Sequence, residues 1–323
     1  AASVLTACAV RAGESDLLSE HEFLGEIELT YSASRLPQAA ADAPGVVTVL
    51  TREMIKAAGV RDLADVFRLV PGFVVGWYNG SSPVVSYHGL SGRYSQHMQV
   101  MLDGRSLYTA LNGVDWTALP VNLDDIERIE VLRGANSTSY GSNAFLGVVN
   151  IITRSALQSP GFYLQASQGN GGLTDVEGRI GSGIGNLNWS AAFGSRQDDG
   201  LNGLDDNRKT IYGALNADLR LNNTDDLSFR AGAKENENRT GFPSHITDPV
   251  RDEKTASYFG QIDWQRTLSS DHQLSLNYSR TVDTGSDEFH LATQLVDDTR
   301  RSTRDILSFN EYFSVIDPLR VSL

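Results

Sequence analysis

The residues best suited to chemistry are four carboxylates, Asp198, Asp199, Asp205 and Asp206, clustered between two strand-like runs with Asn202 and Asn207 among them. Oxygen donors of this kind suit Ca²⁺, although the spacing is not that of an EF-hand loop, and the plainer reading is a solvated acidic loop. The six histidines, His21, His88, His97, His245, His272 and His290, show no metal-ligand spacing. Gly181-Ser182-Gly183-Ile184-Gly185 is superficially like a phosphate-binding loop but lacks the following helix. No G-x-S-x-G, H-E-x-x-H or P-loop occurs, so an enzyme is not expected, and no cofactor is called for. The formal charge of −13, from 27 basic and 40 acidic residues, comes without a basic block that could neutralise a run of phosphates, which argues against nucleic acid.

Two kinds of sequence would have to position these residues. From Ala33 to Arg154 the pattern is mixed. Thr51 suits a helix N-cap with Gly59 closing the helix, and Leu63, Val66, Phe67 and Val70 fall at i, i+3, i+4, i+7 before Pro71-Gly72. Strand-like runs follow at Gly72-Tyr78, Val84-His88, Gln99-Leu102, Ile126-Leu132 and Val148-Thr153, and Asp103-Gly104 between apolar flanks predicts a tight hairpin. This is the pattern of an α+β domain.

After Ser155 the helical period disappears and about eight segments of roughly ten residues alternate in polarity. Leu187, Trp189, Ala191 and Phe193 oppose Asn188, Ser190, Ala192 and Gly194. Ile211, Leu215 and Leu219 oppose Asn216, Asp218 and Arg220, and Leu274, Leu276 and Tyr278 oppose Gln273, Ser275 and Asn277. Charged and amide side chains thus stand in mid-strand, where a soluble sandwich would bury its core. Expected connections alternate between short (Asn222-Asp226, Ser269-Asp271, Asp317-Pro318) and long (Gln197-Arg208, Glu237-Thr255, about Thr284-Ser302). That is the plan of an outer-membrane barrel, with a soluble antiparallel sheet as the rival. The opening AASVLTACAV reads as the tail of a secretory signal ending at Ala7-Cys8-Ala9, or else as a lipobox in which Cys8 would carry lipid.

The stretch from Leu119 to Gly134, LPVNLDDIERIEVLRG, followed by Tyr140 to Arg154, YGSNAFLGVVNIITR, closely resembles the end of the plug domain of TonB-dependent outer-membrane receptors. Val70-Pro71-Gly72-Phe73-Val74 and Val100-Met101-Leu102-Asp103-Gly104-Arg105-Ser106-Leu107 resemble earlier plug motifs in the same order. Tyr87-His88-Gly89-Leu90 departs from the family pattern, which has arginine where His88 stands. The resemblance implies a signal remnant (1–9), an N-terminal segment with a TonB-box-like stretch (10–34), a plug (35–155) and the first 8–9 of about 22 strands of an antiparallel transmembrane β-barrel (156–323). Eight strands cannot close around a plug, so the chain is expected to be a fragment or a truncated reading frame of a longer receptor.

The resemblance further implies import of a scarce metal chelate through the Gram-negative outer membrane, with a ferric siderophore first and cobalamin or haem behind it. TonB would be the energy-coupling partner, the chelate the extracellular ligand and outer-membrane lipid the surroundings. Glu26, Ile27, Glu28, Leu29, Thr30, Tyr31, Ser32 and Ala33 occupy the place of the TonB box, where an extended segment can add to a partner's sheet edge. Glu130 and Arg133 become candidates for plug–barrel charge pairs. Tyr78, Asn79, Arg93, Tyr94 and Tyr108, in or beside loops that would reach the outer mouth, become candidates for ligand contact, Arg93 among aromatics suiting an anionic aromatic chelate. A passive porin or adhesin barrel is the reading from another class, and it needs no plug-like sequence.

Overall fold

The computed structural model describes residues 29–30, 38–39, 45–90, 92, 94–109, 113–117, 119–141, 143–269, 272–291, 294–316 and 319–322. The signal-like opening with Cys8, most of the TonB-box-like stretch and Arg93 lie outside them.

Leu29–Thr30 (β1) pairs antiparallel with Gln38–Ala39 (β2), Leu29 opposite Ala39. The mixed part then builds a five-stranded sheet in the order β3-β8-β9-β6-β7, from Val46–Thr51 (β3), Ile126–Arg133 (β8), Gly147–Thr153 (β9), Met98–Leu102 (β6) and Arg105–Ser106 (β7). Only β6 and β9 run parallel. A separate hairpin joins Phe73–Trp77 (β4) to Pro83–Tyr87 (β5). Thr51 caps helix α1, Arg52–Ala58, by accepting from the Met54 N–H, and Gly59 ends it.

The amphipathic pattern that predicts one helix over Leu63–Val70 yields a single turn, Leu63–Val66 (α2), and then a 3-10 turn at Phe67–Leu69. Pro71 disfavours helical φ/ψ at Val70, and the shortened element still seats Val66, Phe67 and Val70 in the core. There they meet Leu50, Ile55, Val100, Trp116, Ile129, Val149 and Ile151. Phe67 contacts Trp116 with ring centroids 4.8 Å apart. A last helical turn, Ser137–Tyr140 (α3), precedes β9.

The alternating part forms one antiparallel sheet whose path is β10-β11-β12-β13-β14-β15-β16-β18-β19. Its strands are Gly161–Gln168 (β10), Thr174–Ile184 (β11), Leu187–Asp198 (β12), Arg208–Arg220 (β13), Asp225–Thr240 (β14), Arg251–Ser269 (β15), His272–Leu291 (β16), Arg300–Ile316 (β18) and Leu319–Ser322 (β19). Gln294–Asp297 (β17) folds back on the end of β16. Several strands run well beyond ten residues, to 20 in β16. The predicted long loop over Thr284–Ser302 is therefore mostly ladder, and the Glu237–Thr255 loop shrinks to 241–250. Polar side chains there favour water, but their backbone groups still pair.

The glycine run 181–185, which offered a phosphate-loop reading, is strand β11 and its turn into β12.

The polarity of this sheet is inverted relative to a soluble protein. Glu177, Ser190, Asn236, Gln261 and Ser279 are buried, whereas Phe193, Ile211, Leu215, Ile262, Leu307 and Phe309 are exposed. Among the described residues no second sheet covers the apolar face, which removes the sandwich alternative. On that face the Tyr258 hydroxyl donates to Glu235 (2.7 Å) and the Trp264 indole to Asp225 (3.1 Å). Six residues of one strand separate these aromatics, about 20 Å, the spacing of two interfacial girdles. Among the described residues no helix is long and apolar enough to cross a membrane.

Candidate functional site

The inward polar face of the sheet packs against the α+β unit, and their interface is the candidate site. At one point the neighbours Arg61 and Asp62, which start the turn into α2, meet charges from three strands. Arg61 binds Asp175 bidentately (2.7 and 2.6 Å) and also reaches Asp198, while Arg208 binds Asp62 bidentately (2.8 and 3.1 Å) and Asp198 at 2.7 Å. Asp198 thus holds a guanidinium from each side. Burial disfavours the charge on Arg61, but Asp175 and Asp198 outweigh it and raise its pKa above the ordinary guanidinium value. Arg196 adds bonds to the Arg61 carbonyl (2.8 Å) and the Asn122 side chain (2.6 Å).

A second contact forms where the 3-10 turn Leu123–Asp125 enters β8. Asp124 accepts from the Tyr163 hydroxyl (2.9 Å) and Arg52 (3.2 Å), and Asp125 accepts from Arg179 (2.8 Å). Burial pushes Asp124 up, but Tyr163, Glu177, Lys56 and Arg52 together hold its carboxyl below the ordinary value. For Asp125 burial dominates, and the pKa rises despite Arg179.

A third contact is the β6–β7 turn. Asp103 and Gly104 both have positive φ, 49° and 77°, as a type I′ hairpin turn requires. The Asp103 carboxylate accepts from the Thr153 N–H and hydroxyl (2.8 Å each) and lies 3.6 Å from Arg230, and its carbonyl accepts from Gln261 (3.0 Å). Arg105 donates to Thr281 (3.0 Å) and Arg304 reaches Ser106 (3.4 Å). Four strands, β14, β15, β16 and β18, therefore hold one four-residue turn.

The fourth contact is at the loop end of the sheet, where the β4–β5 hairpin meets segments 199–207 and 241–250. Tyr78 donates to Asp248 (3.0 Å) and packs edge-on against Phe242, Asn79 donates to Thr240 (2.7 Å), and the Gly80 N–H donates to Asp206 (2.6 Å). A Cβ on Gly80 would stand 2.8 Å from both the Asp206 carbonyl oxygen and the Gly200 Cα, so the approach admits only glycine without a backbone shift.

Of the residues singled out by sequence, Asn79 is fully buried and also accepts from the Ser81 N–H (3.1 Å), so it ties the hairpin to the sheet and does not face a ligand. Tyr78 keeps 43% of its surface. The Tyr108 hydroxyl accepts from the His97 N–H (3.1 Å), and burial raises its pKa. It lines a polar cleft of about 660 Å³ with Gln96, His97, Ser106, Tyr140 and Arg304. Tyr94 lines a small cavity beside Trp116 and Glu253. Three of the four carboxylates offered for Ca²⁺ are already engaged: Asp198 by two arginines, Asp206 by the Gly80 and Leu201 N–H groups, Asp205 by Arg239 at 3.1 Å. The solvated-loop reading fits Asp199 and Asp205, which are exposed, but not Asp198 and Asp206, and no three His, Cys, Asp or Glu side chains converge for a metal among the described residues. Glu130 is fully buried and accepts from Arg128 within β8 (2.8 Å), and Arg133 reaches the Pro71 carbonyl (3.4 Å). Arg61, Asp62, Asp103, Arg105, Asp124 and Asp125, which sequence reasoning passed over, make contacts that cross to the sheet. Strand parity carried half of that signal, because Asp175, Arg179, Arg196, Asp198 and Arg208 all fall on the inward face.

An α+β unit clasped by the inward face of an inside-out antiparallel sheet defines a plugged outer-membrane β-barrel. Residues 39–148 match the family described as TonB-dependent Receptor Plug Domain. The vitamin B12 transporter BtuB of Photobacterium profundum is 32% identical over 164 residues, half of this chain and 26% of the transporter. An iron-regulated outer membrane virulence protein of Vibrio cholerae is 36% identical over 133 residues, 39% of this chain and 20% of that protein. The fold matches the ferripyoverdine receptor of Pseudomonas aeruginosa (TM-score 0.71, 15% identity, 88% of this chain, 41% of that one) and the ferric yersiniabactin uptake receptor FyuA of Yersinia pestis (TM-score 0.70, 18% identity, 85% and 46%). The chain spans about a quarter of the length of the curated relatives it matches. Residues 39–148 are thus a TonB-dependent receptor plug domain, and the strands that follow have the fold of the outer-membrane barrel that surrounds such a plug.

Proposed function

We propose that this chain, with residues 35–155 as plug and 156–323 as the first part of the barrel, belongs to a transporter that imports a scarce metal chelate, a ferric siderophore in first place. The observation that carries the reading is the fourth contact: the plug hairpin at Tyr78–Gly80 is bonded to two loops at one end of the sheet, so a solute bound there would pull on the plug directly. Tyr78, Arg93, Tyr94 and Tyr108 are the proposed ligand contacts. The stretch Glu26–Ala33 is the proposed handle for TonB, and its Leu29–Thr30 backbone is already extended and strand-paired. No catalytic role is proposed. A second reading, a corrinoid as ligand, is favoured by the relatives named as vitamin B12 transporters.

Uptake of radiolabelled ferric chelates and of labelled cobalamin, by cells carrying the complete gene and by cells lacking it, separates these readings. Gene-dependent iron entry supports the first and gene-dependent cobalamin entry alone the second. No gene-dependent uptake of either would overturn both.

A further inference from the structure

Arg105 is only 2% exposed, yet it is not fully satisfied. Its Nη1 donates to Thr281 and its plane lies 4.1 Å from the Phe259 ring centroid, but Nε and Nη2 are buried with no hydrogen-bond partner among the described residues. Burial draws its pKa down to about 10, against the pull of Asp103 and Asp283. The rest of its turn is well bonded, so the idle donors belong to this side chain alone. They adjoin a cavity of about 20 Å³ whose lining includes Asp115, Ser257, Asp283 and Arg304. Asp115 is already engaged by the N–H and hydroxyl of Thr117 (2.9 and 2.7 Å). Asp283, with the Ser257 hydroxyl and the Arg304 charge beside it, stands two residues beyond Thr281 on the same face of β16 and is the carboxylate that a shift along this strand brings to Arg105.

A buried arginine with two idle donors makes the resting state less stable than an apolar side chain of similar length would. That cost is recovered only in an arrangement that pairs those donors. We propose that Arg105 is a switch residue: when the plug shifts along the sheet, its guanidinium exchanges Thr281 for a bidentate bond to Asp283 and so holds the displaced plug. This rests on the transport reading only in that the plug moves.

The test uses the receptor from the complete gene in planar bilayers, with urea added to open the plug and single-channel current as the readout, so neither ligand nor TonB is needed. Arg105→Met should shift opening to higher urea, making events at the wild-type midpoint about tenfold rarer. Asp283→Asn should shorten each opening about tenfold. Opening of the Met variant at lower urea would mark Arg105 as a plain resting tether and overturn the proposal. So would Asn-variant openings as long as the wild type's, and that arm decides alone if the Met variant does not insert. A receptor that passes both arms but imports no chelate would sink the transport reading and leave the switch standing.

Discussion

Replacing Asp198 with Asn tests the clasp at its centre. In the native chain this carboxylate accepts from Arg61 and Arg208, and its side chain is only 11% exposed. The amide keeps the shape and the oxygen that can accept one bond, but it removes the charge and places an N–H₂ where an acceptor stood. Each guanidinium retains a bidentate partner, Asp175 for Arg61 and Asp62 for Arg208, which limits the loss. Taking one charge-assisted bond as lost and a second as weakened gives about 2 kcal/mol. If plug displacement must break this clasp, the displaced population rises about thirtyfold. The assay is sensitivity of whole cells to a hydrophilic antibiotic too large for ordinary porins, together with urea-induced current of the purified receptor. Asp205→Asn, at the exposed pair with Arg239, serves as the control and should change neither. Unaltered permeability and unaltered urea dependence in a correctly inserted Asp198→Asn receptor would refute the argument that this cluster restrains the plug.

Three further outcomes are expected. Leu29→Pro removes a backbone donor from the handle and should abolish energised uptake while chelate binding to whole cells persists; undiminished uptake would exclude this segment. Gly80→Ala forces the hairpin away from Asp206 and Gly200, costing about 1–3 kcal/mol locally, and should increase proteolysis within 199–207 without lowering the melting temperature of the barrel. The pH dependence separates the two neighbouring carboxylates. Asp124, held below its ordinary value, stabilises the interface above about pH 4 and loses that contribution as pH falls, so Asp124→Asn should lower plug melting at pH 7 with the deficit closing under acid. Asp125, raised by burial, favours the fold when protonated and loses that favour as pH rises, so Asp125→Asn should be the milder change at pH 7.

Much of the architecture was legible because two periodicities carry it. Thr51 and Gly59 bracket α1 where capping chemistry put them, Asp103-Gly104 makes the predicted turn, and the parity of Leu187, Ile211 and Leu274 assigns the outward face. Strand ends were misjudged where the apolar signal stops, as over Thr284–Ser302, since a ladder can continue after its outward side chains become polar. The site was harder to see. Arg61-Asp62 is indistinguishable by sequence from a solvated turn, and only the strands brought opposite it, more than a hundred residues later in the chain, give those charges partners. The acidic cluster misled for the same reason: the cations that neutralise it, Arg61, Arg208 and Arg239, come from three different elements.

The crosswise arrangement at Arg61 and Asp62 also proofreads assembly. A cation followed at once by an anion faces an anion, an anion and a cation on three adjoining strands, so there is one seating in which every charge meets its opposite. Sliding the plug by a single residue one way would bring Arg61 toward Arg208, and the other way Asp62 toward Asp175 and Asp198, and like charges in a half-dry cleft repel strongly. A dipeptide in a short turn therefore acts as a key, disfavouring every seating but one.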